Sequence, residues 1–267
     1  MPFASNGDLK IYYEEVGKGD PVVWIQGLGA SNTAWNVQKF HFSQCFRCIF
    51  IDNRDVGQSS RANADYTTKD MAEDVLCVLE SANVDSAHII GLSMGGAIAQ
   101  ELALNSPKKV KSLVLVSTFA TPDARIRAVN AAWGELYGKV NRELFYKQVE
   151  PWLFSPSYLE KPSNIRAFRR YIQHEPNPQE TDAYQRQVRA VLSHNTADRL
   201  EKISNPTLII AGEQDILVSP LHSKLLAELI PNAELEIIPG AAHSVNLENQ
   251  KEFNNRVRSF LESYLEA

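Results

Sequence analysis

The stretch Ala87-His88-Ile89-Ile90-Gly91-Leu92-Ser93-Met94-Gly95-Gly96 decides the fold. Its first four residues form a short apolar run, which predicts a buried strand. The small residues from Met94 towards Asn105, stopped before Pro107, predict a helix. Between strand and helix stands the pattern G-x-S-x-G. A serine in so tight a turn sits in strained backbone, and the glycines on either side remove side chains that would clash there. Its hydroxyl is then exposed above the sheet. The Met94 amide points to the positive end of the helix, where an oxyanion can be held. Ser93 is therefore the candidate nucleophile.

Outward from this turn the pattern repeats. Val22-Val23-Trp24-Ile25 and Cys48-Ile49-Phe50-Ile51 read as strands buried on both faces, with a helix between them. Thr67 and Asp70 form a capping pair ahead of Met71, Val75, Val78 and Leu79 at helical spacing. Ser112 to Ser117 and Pro206 to Ala211 are further strands, followed by a helix near Pro220 to Leu229, the strand Leu235 to Ile238 and a last helix. That helix carries Phe253, Val257, Phe260, Leu261 and Tyr264 on one face. Strands alternating with helices predict a mostly parallel sheet covered by helices on both faces, an α/β fold. Between residues 120 and 204 only helical patterns occur, with Trp133, Leu136, Tyr137, Val140 and Leu144 giving one apolar face. This segment reads as a helical cap (lid) over a core of residues 1–119 and 205–267.

The chain has 267 residues, 44% of them hydrophobic and 22% charged, which excludes a disordered or fibrous protein and fits one large domain with an insertion. The longest apolar run, Val75 to Leu79, is too short to span a bilayer, and the first fifteen residues lack a signal sequence, so a cytoplasmic location is expected. A net charge of −5 makes nucleic acid an unsuitable partner. Three cysteines in a reducing compartment predict buried structural thiols, not the redox or zinc site that Cys45 and Cys48 could suggest. The metal-protease, P-loop and complete dinucleotide motifs are missing, so no metal or organic cofactor is expected.

A serine hydroxyl near neutral pH needs a base, and the base needs a carboxylate to orient it. Of six histidines, His243 alone lies in a loop directly after the last strand, and Asp215 holds the equivalent place after the preceding one. In an open parallel sheet that edge is where sites assemble. Gln26-Gly27-Leu28-Gly29, after the first strong strand, can bring the Leu28 amide to the oxyanion as a second donor beside Met94.

With these segments in this order, nearly the whole chain resembles the α/β-hydrolase fold family, in its serine esterase, lactonase and C–C hydrolase group. The resemblance rests on Gln26 to Gly29, Asp52-Asn53-Arg54-Asp55-Val56-Gly57-Gln58-Ser59, the Ser93 turn, Gly212 to Asp215 and Gly240 to His243. It implies a cap inserted after the sixth strand, and a Ser93, Asp215, His243 triad cleaving a small-molecule carboxylic ester or lactone. In some members the acid comes from the preceding strand, where Asp123 could serve. Gln26 and Asp55 depart from the family's usual His and Gly, which bears on specificity. The Asp52 to Ser59 segment is expected to fix a turn, with a buried ion pair at Arg54. The same triad also serves C–C hydrolases, thioesterases and perhydrolases, and the fold also serves small-molecule receptors. Residues 123–202 hold 13 Lys and Arg against 10 Asp and Glu, a balance of +3 where the remainder carries −8. Arg125 and Arg127 are the first candidates to bind an anionic substrate or acidic carrier protein, and Trp133, Trp152 and Phe154 to line the pocket.

Overall fold

The computed structural model describes residues 3–265. β1 (Phe3–Asn6) and β2 (Leu9–Val16) form an antiparallel hairpin that turns at Gly7, whose φ is 58°. The sequence reading did not find this hairpin. β2 alternates polar residues with the buried Ile11 and Tyr13, so a search for continuous apolar runs passes over it, whereas Asn6-Gly7 is the turn signal that marks it.

The parallel part follows as β3 (Pro21–Ile25), α1 (Asn36–Phe42), β4 (Arg47–Ile51), α2 (Thr68–Ser81), β5 (Ala87–Leu92), α3 (Met94–Asn105) and β6 (Val110–Val116). The chain then runs through α4 (Ala124–Leu136), α5 (Arg142–Leu153), α6 (Pro156–Leu159), α7 (Pro162–Gln173) and α8 (Thr181–Ser193). It returns through β7 (Thr207–Gly212), α9 (Pro220–Leu229), β8 (Ala233–Ile238), α10 (Val245–Glu248) and α11 (Gln250–Glu262). The sheet has 8 strands in the order β1-β2-β4-β3-β5-β6-β7-β8, parallel from β4 onward. No described helix is long and apolar enough to cross a membrane.

Each central strand feeds two cores, because successive side chains point to opposite faces. Val23 and Ile25 of β3 join Met71, Val75, Ile98 and Leu102 on the α2/α3 side. Val22 and Trp24 join Phe42, Phe253, Val257 and Phe260 on the α1/α11 side. Thr67 and Asp70 form the capping box expected at the start of α2. Tyr264, expected on the buried face of α11, lies beyond its end and is 38% exposed, resting edge-on against Phe260.

Two other expectations need correction. Cys48 is buried, and burial pushes its thiol up to about 12, but Cys45 is exposed because it lies in the turn before β4 and not in the strand. The apolar face expected from Trp133 to Leu144 is broken. Gly138 (φ 82°) ends the first helix, Asn141 caps the next by accepting from the Leu144 amide at 2.8 Å, and Leu136 and Leu144 are 38% and 43% exposed.

The helices between β6 and β7 are tied to the sheet domain by charge. The Nε and Nη2 atoms of Arg186 both reach the buried Asp55 at 2.8 Å, Arg199 pairs with Glu101 at 2.6 Å, and Arg189 with Asp65 at 2.7 Å. The positive balance of this segment thus meets the acidic balance of the rest across their interface.

Candidate active site

Parallel strands end on the same edge, so the residues after β3, β5, β7 and β8 converge there by topology alone. Ser93 has φ 55° and ψ −118°, a conformation that must be held by its surroundings. Its amide donates to Val116 O at 2.8 Å, and its carbonyl accepts from the Gly96 amide at 2.9 Å and Thr118 Oγ1 at 2.7 Å. The glycines are sterically required. A Cβ on Gly91 would lie 2.2 Å from Gly95 O, and one on Gly95 would lie 2.2 Å from Ile25 O.

His243 and Asp215 are each 3% exposed, and Nδ1 of the imidazole meets Oδ2 of the carboxylate at 2.8 Å. The other oxygen, Oδ1, accepts from the Leu217 and Val218 amides at 2.9 and 2.8 Å. One oxygen is therefore fixed to the backbone while the other orients the ring. Asp123 does neither. It caps α4 through the Ile126 amide at 2.8 Å and meets His222 at 3.1 Å.

In the Gln26–Gly29 loop, Gly27 N donates to Gln26 Oε1 at 2.8 Å and Gly29 N to Gln187 Oε1 at 3.0 Å. Between them, the Leu28 amide has no partner among the described residues, and neither has the Met94 amide. Ser93, His243, Leu28 and Trp133 line one cavity of ≈ 410 Å³, to whose wall the helical segment contributes aromatic, aliphatic and a few polar residues. No hydrogen bond joins Ser93 to His243; such bonds are often made only with substrate in place. Among the described residues no cluster of three or more His, Cys, Asp or Glu side chains is arranged to hold a metal ion.

The family model described as alpha/beta hydrolase fold matches residues 20–250. The chain belongs to this family. It is similar to a protein of Azorhizobium caulinodans named provisionally as the carbamate hydrolase RutD, 29% identical and covering 97% of this chain and 98% of that one. Among solved structures it resembles MGS-M2, an alpha/beta hydrolase from a Medee basin deep-sea metagenome library, with TM-score 0.90, 27% identity and 97% of each chain covered. It also resembles Est816, described as an N-acyl homoserine lactone degrading enzyme, with TM-score 0.83, 28% identity, and 97% of this chain and 100% of that one covered. These likenesses support a hydrolase.

Within the α/β-hydrolase frame, both departures from the family pattern have structural accounts. Gln26 ties down the Gly27 amide with its own side chain, and its carbonyl accepts from Asn53 Nδ2 at 2.9 Å. Asp55 (φ 72°) accepts from the Ala62 amide, the Tyr66 hydroxyl and Arg186, and so anchors the helical segment. Arg54 forms the expected buried ion pair, with Asp74 at 2.6 Å.

Several expected pocket residues lie elsewhere. On α5 the cavity stripe is Arg142, Phe145, Tyr146, Val149 and Leu153, at helical spacing; Trp152, at the edge of this stripe, does not line the cavity and packs half-buried against the hydrophobic core. Phe154 is buried between Tyr158 and Phe168, at 4.8 and 5.0 Å between ring centres. Arg125 and Arg127 are exposed and donate to backbone carbonyls, those of Ile216, Pro122 and Leu192, because their helix turns its buried side, Ile126, Asn130 and Trp133, towards the cavity. The sequence reading missed Arg142 and Gln179, which do line it. The helical register of α5 is the signal that could have found Arg142.

Proposed function

We propose that this α/β-hydrolase cleaves a carboxylic ester or lactone through an acyl-enzyme on Ser93. The observation that carries this reading is that Ser93, held in a strained turn, shares one cavity with His243, whose ring is oriented by the buried Asp215. In the reaction Ser93 Oγ attacks the carbonyl carbon and its proton passes to His243 Nε2. The oxyanion is held by the Leu28 and Met94 amides. The tetrahedral centre collapses, the bond to the alcohol oxygen breaks, and His243 gives its proton to that oxygen. Water then attacks the acyl-enzyme, losing a proton to His243, which returns it to Ser93 as the carboxylic acid leaves. Asp215 accepts from Nδ1–H throughout and stabilises the imidazolium. The helices between β6 and β7 serve as the cap that encloses the substrate.

The likeness to the provisionally named carbamate hydrolase favours a second reading, a carbamate as substrate, since the same attack would open its carbonyl. The test is turnover of p-nitrophenyl butyrate, a γ-lactone and an N-alkyl carbamate by the purified protein, with fluorophosphonate labelling in parallel. Ser93→Ala should abolish labelling and lower kcat on the order of a millionfold. Labelling that persists in this variant, or unchanged turnover, overturns the assignment. The ranking of the three substrates separates the two readings.

A further inference from the structure

Of the described side-chain polar atoms that are buried without a partner, those that face the cavity belong to Arg142 and Gln179. Arg142 is half-buried; its side chain bonds the Tyr146 hydroxyl, but among the described residues its Nε–H meets no acceptor and no carboxylate lies within ion-pair distance. By contrast Arg169, Arg186, Arg189 and Arg199 of the same helical segment are all paired. On Gln179 both the amide nitrogen and the amide oxygen are unpartnered, although its backbone carbonyl accepts from Tyr137 at 3.0 Å. Its Oε1 lies 3.6 Å from where a Cβ on Gly29 would stand, which places the amide beside the oxyanion loop. Apolar and aromatic residues make up much of the cavity wall, including the stacked rings of Tyr137 and Tyr184 at 4.0 Å. The cavity's acid, Glu175, is already satisfied by Ser31 Oγ at 2.8 Å and the Asn177 amide at 3.2 Å.

A guanidinium with a buried, unsatisfied Nε–H and no carboxylate partner is costly unless a ligand completes it, and the group that completes it best is a carboxylate. We propose that Arg142, assisted by the Gln179 side-chain amide, forms a subsite for a free carboxylate on the substrate. The enzyme's preferred ester or lactone is then the derivative of a dicarboxylic acid. Arg142 Nε–H and Gln179 Nε2–H donate to the carboxylate, and Gln179 Oε1 remains to accept from a hydroxyl or amide N–H on the same molecule. This rests on the serine-hydrolase reading, which assigns the cavity to substrate.

The test compares mono-p-nitrophenyl glutarate with p-nitrophenyl pentanoate, of the same chain length, in wild type, Arg142→Gln and Arg142→Lys. Wild type should favour the anionic ester roughly 10- to 100-fold in kcat/KM, chiefly through KM. Arg142→Gln should bring the ratio close to one, and Arg142→Lys should restore part of it. A ratio near one in wild type, or one unchanged by Arg142→Gln, overturns the subsite. Calorimetric titration of glutarate into wild type and Arg142→Gln gives a readout free of catalysis. Binding lost in the variant supports the subsite, and equal binding in both refutes it, even if neither ester is turned over and the serine-hydrolase reading fails. Should Arg142→Gln not fold, Gln179→Leu serves in both measurements, with a smaller loss expected.

Discussion

Residue identity alone does not select the site. His88 lies between Ser112 Oγ at 2.7 Å and Asp20 Oδ2 at 2.8 Å, the same three residue types as the proposed triad, yet Ser112 and His88 are fully buried at the opposite end of β5 and β6. No substrate can reach them, and burial lowers the His88 pKa, which favours the neutral ring. What singles out Ser93, Asp215 and His243 is the strand edge they share, and that edge is legible in sequence because each follows an apolar run. The choice between Asp215 and Asp123 needed coordinates, since both follow strands and only geometry shows which carboxylate meets the imidazole. It carries a prediction. Asp215→Asn should lower kcat/KM about ten thousandfold by favouring the wrong tautomer, while Asp123→Asn should change it by no more than a few-fold. Steady-state kinetics with a p-nitrophenyl ester on both variants checks this, and the reverse ranking would move the acid to Asp123. The register of α5 could have placed Arg142 on the cavity side, but its free Nε–H was not legible, because the sequence shows nine arginines between residues 123 and 202 and not which of them already have partners.

At the scale of elements, the turn between β5 and α3 is where local sequence and tertiary contact agree most closely. Gly95 is needed not for its backbone angles but because Ile25 O of the neighbouring strand lies 2.2 Å from where its Cβ would be. Gly240 is the contrasting case, with φ 70° and nothing within 4 Å of the added Cβ. Gly95→Ala should therefore cost at least about 3 kcal/mol or prevent folding, whereas Gly240→Ala should cost about 1–2 kcal/mol of left-handed strain. Urea unfolding followed by circular dichroism measures both, and equal losses would show that close approach is not what Gly95 provides. The helix that follows was bounded correctly from sequence at Met94 and Asn105, because small residues and Pro107 mark it. The α4–α5 region was not, because its aromatic residues continue across Gly138 and disguise the break between two helices.

For the whole molecule the decisive boundary is the one between the sheet domain and the helices that cover its active edge. Asp55, Glu101 and Asp65 receive Arg186, Arg199 and Arg189 across it, and His194 sits at the point where the chain leaves α8 to return to the sheet. His194 is 2% exposed, with Nδ1 at 2.8 Å from Thr68 Oγ1 of α2 and Nε2 at 3.3 Å from Thr196 Oγ1. Burial lowers its pKa from 6.5 to about 4, with Arg199 acting in the same direction and Glu101 against it. The native state thus keeps the ring neutral across a range in which the unfolded chain protonates it. Between 6.5 and about 4 the unfolded state binds more protons, so this contribution to stability is present above 6.5 and lost as pH falls through that window. The loss approaches about 1.4 kcal/mol per pH unit within the window. His88 adds to it, its pKa also lowered by burial, although the hydrogen bond to Asp20 opposes the shift. Asp52 and Asp74 act the other way, since burial raises their pKa values and their protonation favours the native state in acid. A bare pH profile mixes these groups, whereas the difference between two proteins that differ only at His194 isolates its ring. His194→Gln should be less stable than wild type near about pH 7.5, and the difference should shrink by at least about 1 kcal/mol by about pH 5, because the variant lacks the titrating ring. Urea unfolding of both proteins across this range measures the difference. A gap that stays constant or widens on acidification would mean that His194 is not held neutral at this boundary.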